Sequence, residues 1–352
     1  FCNSGQYLRE MSASADDLMI DKKGFRLSTG KQKLVQLSAE ELVELIMFNI
    51  KKYGARSFLF SDDDFALKSK NNRTKNFCKL VIDYKKKGLI DKNVQFNCQT
   101  HVTDWLTGHL DVNEELIKDM AAAGFKSISV GVETFTDGII SSQSINKIGY
   151  KSEHAQAVLD VMLNNGIVPQ VNVILGVPEY NVQDLIDTMD IAMEYIIKGC
   201  DVSVGRQLLA FPGAPIYESG LYKVVYDTWK HPVTGEEVKI PDYFEPKDPI
   251  IAKAMEVYDE EAKKELARVV KKMNWGKMNP PKRVIAIAGL TCLPRLLKRN
   301  DLIPKYNKIL DDVLAGKCRQ NAEMAYNPLV DEQQPRLRKF MTDKMSEKNK
   351  NI

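Results

Sequence analysis

Val168-Pro169-Gln170-Val171-Asn172-Val173-Ile174-Leu175-Gly176-Val177-Pro178-Glu179 is an apolar, β-branched run that halts at a glycine and a proline. Its length and composition suit a buried strand over Val168–Leu175 rather than a helix, with Gly-Val-Pro as the stop. Downstream, Val182–Ile197 repeats apolar residues at helical spacing and is closed by Gly199. Asp201–Leu209 follows as another strand, ending in Phe211-Pro212-Gly213-Ala214-Pro215. Strand, amphipathic helix, strand is the signature of parallel pairing with a right-handed crossover.

The same unit repeats upstream. Ser38-Ala39-Glu40-Glu41 reads as a capping box, in which Ser38 and Glu41 satisfy each other's orphan backbone N–H groups. The helix behind it runs to about Lys52 and stops at Gly54. Ser57–Ser61 is a short strand leading into Asp62-Asp63-Asp64-Phe65, and a helix over Lys75–Lys87 stops at Gly88. Val94–Thr100 is a strand, Glu114–Ala123 a helix closed by Gly124, and Lys126–Val132 a strand ending in Gly131-Val132-Glu133-Thr134. Ser152 is expected to cap the next helix, which reaches Asn165 before Gly166. Residues 6–36 read as polar and irregular.

Composition bounds the answer. The 352 residues have 44% hydrophobic and 28% charged side chains, ordinary for a globular chain. A formal net charge of +3 gives no case for a nucleic-acid surface, and no apolar run is long enough to cross a membrane. Six cysteines, at 2, 78, 98, 200, 292 and 318, form no CxxC pair, which argues against a disulfide scaffold and for a reducing cytoplasm. The four histidines show no ligand spacing, so no zinc site is expected.

Five strands separated by helices fit either a doubly wound sheet or a barrel. No GxGxxG follows a strand, which weighs against a dinucleotide-binding sheet. Polar, chemically useful residues instead stand at the C-terminal end of nearly every strand, where a barrel builds its site. Ser61-Asp62-Asp63-Asp64 gathers carboxylates that need water, a cation or an ammonium nearby. Gly131 lets a ligand approach the backbone, and Glu133 can accept from hydroxyl or ammonium groups. Arg206 could face a lumen and hold a carboxylate or a substrate, or sit in a structural ion pair. Cys98 could point inward too, or simply pack.

The chain opens Phe1-Cys2-Asn3-Ser4-Gly5. An aromatic residue before a cysteine resembles the last part of the CxxxCx-aromatic-C motif of the radical S-adenosylmethionine (SAM) superfamily. In that family three thiolates hold a 4Fe–4S cluster, as suits soft ligands. The resemblance makes Cys2 the third metal ligand and expects the other two, with the first barrel strand, upstream. Asp62-Asp63-Asp64-Phe65 looks like the variant that some branches carry in place of GGE, which binds the amino group of SAM; Ser61, Asp62 or Asp63 would make that contact. Gly131-Val132-Glu133-Thr134 resembles the family's Gly-x-Glu-Ser. Asn172, Ile174, Gly176 and Glu179 resemble its GxIxGxxE, with Asn172 for the first glycine, in contact with adenine. Pro212-Gly213-Ala214-Pro215-Ile216-Tyr217 is similar to the cobalamin-binding type. The motifs keep their order over residues 1–217.

The resemblance implies a partial (β/α)6 TIM-type barrel, α/β in class, lacking its first strand here and carrying a mainly helical C-terminal extension. Residues 1–220 would be the core, 221–332 the extension, with a hairpin around Pro232–Gly235 and helices over 250–273, 283–299 and 305–315, and 333–352 a polar tail. It also implies an enzyme that cleaves SAM reductively to a 5′-deoxyadenosyl radical. A flavodoxin or ferredoxin would donate electrons to a substrate-modifying reaction not readable from the residues. A helical extension suits the cobalamin-binding branch, whose cobalamin domain would lie upstream. Two other readings stand beside it. One is a conventional barrel enzyme using Asp62–Asp64 and Glu133 for acid–base or metal chemistry. The other is a binding scaffold that has lost the cluster.

Overall fold

The strand–helix alternation is realised as a curled, open sheet with its crossover helices on one face. A computed structural model describes residues 18–20, 26–28, 37–62, 64–67, 71–273 and 282–315. Leu18–Ile20 (β1) and Arg26–Ser28 (β2) pair antiparallel, within a region expected to be irregular. Three-residue strands are too short to leave a readable periodicity.

Ala39–Tyr53 (α1) starts on the anticipated capping box: the Glu41 N–H donates to Ser38 Oγ at 3.1 Å and the Ser38 N–H to Glu41 Oε2 at 2.7 Å. Gly54 ends it at φ 66°, a conformation glycine reaches without a Cβ penalty. Ser57–Leu59 (β3), Asn71–Lys86 (α2), Gln95–His101 (β4), Glu114–Ala123 (α3), Phe125–Glu133 (β5), Ser152–Asn164 (α4), Val168–Gly176 (β6), Val182–Lys198 (α5) and Asp201–Gln207 (β7) follow. Helix α2 therefore begins earlier than expected. Ser152 is the first residue of α4 rather than its cap; its N–H donates to Asp137 Oδ1 at 2.7 Å, while His154 Nδ1 accepts from the Lys151 N–H at 2.9 Å.

The sheet order is β3-β4-β5-β6-β7, every pair parallel. Strand order never reverses, so the sheet coils one way into a partial barrel. The pleat separates two faces. Phe96, Ile128, Val130, Val171 and Val173 point to the helices and are buried. On the other face Asn97 pairs in register with Ser127, Ser129 with Gln170, and Asn172 with Ser203. Cys98 alternates to the helix side and is 2% exposed, so it packs outward rather than into the lumen.

Phe60, Phe65, Phe77, Phe96 and Phe125 interlock beneath the β3 and β4 ends, with Phe60 and Phe65 stacked at 4.3 Å and Phe77 edge-on to Phe96 at 5.6 Å. Each ring buries apolar area worth about 1.5–3 kcal/mol, with edge-to-face pairing adding to it. Through Phe60 and Phe65 this cluster anchors the chain on both sides of the β3 end.

Beyond β7 come the expected hairpin, Val224–Lys230 (β8) with Glu237–Phe244 (β9), and three helices, Pro249–Met273 (α6), Lys282–Leu296 (α7) and Ile303–Leu314 (α8). Pro294 lies in the last turn of α7, which ends two residues later, short of the expected 299. Helix α8 is tied to α5: Tyr306 Oη donates to Asp190 Oδ1 at 2.6 Å and Lys305 pairs with Asp190 Oδ2 at 2.7 Å. Among the described residues no helix is long and apolar enough to cross a membrane.

Candidate active site

Because all five strands run parallel, their C-terminal ends form one rim. Asp62 beyond β3, Glu133 on β5, Gly176 on β6 and Arg206 on β7 all lie at that rim. Asp63 is outside the described residues, as is Cys2.

The end of β5 is the best-built part. Gly131 pairs with Asn172 and Glu133 with Val173, so Val132 is skipped and the strand bulges. A bulge re-aims the residue that follows it. Glu133 has φ 66°, a left-handed conformation that costs a non-glycine residue about 1–2 kcal/mol. Its carboxylate meets the Lys147 ammonium at 2.9 Å, and Lys147 Nζ also donates to the Gly131 carbonyl at 2.6 Å. The two side chains are only 13% and 10% exposed. Glu133 is thus a held charge rather than a solvated carboxylate. A Cβ on Gly131 would lie 2.9 Å from Lys147 Nζ and 3.1 Å from Glu133 Oε1, so a larger residue there would make the ends of the pair shift. Around it opens a cavity of about 490 Å³. Gln99, His101, Ser129, Asn172 and Tyr150 line its walls.

The loop that delivers Lys147 is braced from below. Glu179 accepts from the Ser144 N–H at 3.1 Å, from Ser144 Oγ and from Tyr222 Oη. Tyr150 Oη donates to the Val132 carbonyl at 3.2 Å. Thr134 at the strand end joins Thr188 of α5 at 3.0 Å, deep in the core. Glu179 and Thr134 therefore position the rim rather than line it.

On β6, Asn172 donates to Ser129 Oγ at 3.3 Å across the lumen face, and Ile174 is half-buried between the barrel core and the cluster beyond β7. A Cβ on Gly176 would fall 2.9 Å from the Arg206 carbonyl and 2.9 Å from Gln207 Cγ. Backbone is not free to yield, so glycine is required there. Arg206 does not enter the lumen: its guanidinium pairs with Asp259 of α6 at 2.9 Å and stands over the Tyr243 ring. The pleat sends Gly205 and Gln207 to the inner face and turns Arg206 away from it.

At the β3 end Ser61 is exposed, and Asp62 lies 3.9 Å from Arg73 Nη2. Asp64 meets Asp104, which is 2% exposed and accepts from the His101 N–H at 2.8 Å. Burial, then the neighbouring Asp104 carboxylate, pushes the Asp64 carboxyl up to about 8.

The sequence matches the radical SAM superfamily over residues 1–192. The chain belongs to the radical SAM superfamily. No curated protein matches it. Among solved structures, the radical SAM fold here is similar to the cobalamin-dependent S-adenosylmethionine radical enzyme OxsB with aqua-cobalamin and S-adenosylmethionine bound. The TM-score is 0.57 at 12% identity, over 99% of this chain and 63% of that one. It is also similar to the radical S-adenosylmethionine methyltransferase TsrM from Kitasatospora setae, with tryptophan and a SAM analogue bound. There the TM-score is 0.53 at 13% identity, over 80% of this chain and 58% of that one. The chain thus spans roughly three-fifths of the length of these neighbours.

For a radical SAM chain, the cysteines that are described are not cluster ligands. Cys78, Cys98, Cys200 and Cys292 are buried, no three metal-ligating side chains gather among the described residues, and burial holds every one of these thiols well above the usual range, Cys292 at about 12. The residues of the rim cavity fit SAM: the cavity is of ligand size and holds a carboxylate and an ammonium side by side. Lys147 is the residue that the sequence reading missed. It lies in a loop without motif or periodicity, and only the fold carries it to Glu133.

Proposed function

We propose that this chain is the SAM-binding core of a radical SAM enzyme, and that its cofactors are a 4Fe–4S cluster and SAM. The observation that supports the reading most is the Gly131–Glu133–Lys147 constellation at the end of β5. The methionyl end of SAM carries an ammonium and a carboxylate. Glu133 accepts from the ammonium or from ribose hydroxyls, and Lys147 faces the carboxylate. Asn172, Ile174 and Gly176 offer the β6 backbone to adenine, and Ser61, Asp62 or Asp63 adds a further acceptor across the rim. Arg206, being paired with Asp259, serves by fixing α6 against β7 instead of touching cofactor. Cys2 is the cluster ligand within this chain. The chemistry that a reduced cluster supplies when bound is one electron to the sulfonium of SAM, which releases methionine and a 5′-deoxyadenosyl radical.

Cobalamin is part of the same reading: the C-terminal helices and the fold likeness to cobalamin-dependent enzymes support it. The test is direct titration with SAM. Lys147→Met should weaken SAM binding about tenfold or more, the worth of one charge-assisted hydrogen bond. An unchanged affinity would remove Lys147 and Glu133 from the SAM site.

A further inference from the structure

A second cavity, of about 520 Å³, runs between β6–β7 and helices α6 and α7. Its strand wall mixes Gln170, Asn172, Asp201 and Ser203 with two valines, and its helix wall sets apolar Ala262 and Leu266 beside the polar Tyr258, Asp259 and Lys263. Asn172 lines this cavity and the rim cavity alike, so the two chambers meet at that side chain.

Two polar groups stand ready in it. Tyr258 of α6 is 6% exposed and lies against Gly289 of α7, where any Cβ would collide with the phenol oxygen. Its hydroxyl makes no hydrogen bond to any described residue, yet it lines the cavity. The hydroxyl is therefore available to donate to an oxygen of a ligand held in the cavity. The charges of the chamber separate in the same way. Asp259 is paired with Arg206 at 2.9 Å and Lys263 with Glu260 at 3.3 Å. Asp201 forms no ion pair with a described residue.

We propose that this chamber binds a small amphipathic amine bearing a hydrogen-bond-accepting oxygen, and that this is the class of molecule on which the enzyme acts. The ammonium lies at Asp201, the oxygen accepts from Tyr258, and the apolar body rests on Ala262 and Leu266. The role as substrate rests on the SAM reading of the rim; the binding chemistry does not. Asp201 opens β7 opposite Gln170, so the ammonium lies toward the N-terminal ends of the strands, and the other end of the ligand meets the rim cavity at Asn172.

The test is calorimetric titration of the 352-residue chain with three probes of equal shape: 4-methoxyphenethylamine, 4-methoxyphenylpropionate and the neutral 4-propylanisole. The amine should bind roughly tenfold or more tighter than the acid. Asp201→Asn should abolish that preference, Tyr258→Phe should weaken the amine severalfold, and Ala262→Trp, if its melt is native-like, should remove binding of all three. Equal or tighter binding of the acid, a preference that survives Asp201→Asn, or full affinity in a folded Ala262→Trp variant would overturn the assignment. A parallel SAM titration separates the two readings. SAM binding without amine binding removes the chamber and leaves the rim, and amine binding without SAM binding does the reverse.

Discussion

Glu133 is the residue on which most of the chemistry converges. It pays for its place with a left-handed backbone, and recovers stability from Lys147. Glu133→Gln keeps a hydrogen-bond acceptor but deletes the charge, so SAM affinity should fall about tenfold or more while stability drops by about 1–3 kcal/mol. Normal SAM affinity beside a lowered melting temperature would make Glu133 structural. Gly176→Ala should cost about 1–3 kcal/mol in denaturant unfolding, since its Cβ meets the Arg206 carbonyl at 2.9 Å. A native-like midpoint would show that the β6–β7 approach is looser than described. Asp64 gives a pH signature. Its native carboxyl, raised to about 8 by burial, Asp104 and Asp62, keeps a proton that the unfolded chain sheds near 3.8. Between those values the native state binds more protons, so Asp64's contribution falls as pH rises and is lowest above about 8. The melting temperature should therefore decline from about pH 5 to pH 8, and less steeply in Asp64→Asn. Equal slopes would assign the proton elsewhere.

At the scale of elements, the rim depends on braces as much as on strands. Glu179 joins the Ser144 loop to Tyr222, and that loop carries Lys147. Glu179→Ala should speed hydrogen exchange at the Ser144 and Lys147 amides severalfold while leaving β5 protection native. Uniform loss of protection would mean the brace holds the whole barrel. Much of this level was legible in the sequence, because helix caps and glycine stops are local: Ser38 with Glu41, Gly54 and Gly199 fall where the residues said they would. Glu179 was legible as a motif position but not as a brace. Its partners lie 35 and 43 residues away, and nothing in a strand-end glutamate names them. Cys98 and Arg206 show the complementary limit. Their strands were readable, but which face a side chain takes depends on register, and on α6 supplying Asp259 to Arg206.

For the whole molecule, the central claim is that the strand ends assemble around SAM beside a cluster held in part by Cys2. The sequence carried this claim through motif order; the fold adds that Asp62, Glu133 and Gly176 share one rim. The most direct test is anaerobic reconstitution of the full-length gene product with iron and sulfide, followed by chemical reduction and addition of SAM. The yield of 5′-deoxyadenosine is read beside the electron paramagnetic resonance spectrum. The account predicts a 4Fe–4S signal that shifts when SAM is added and 5′-deoxyadenosine that accumulates, both lost in Cys2→Ala. A protein that takes up no iron, or one whose Cys2→Ala variant still makes 5′-deoxyadenosine, would contradict it.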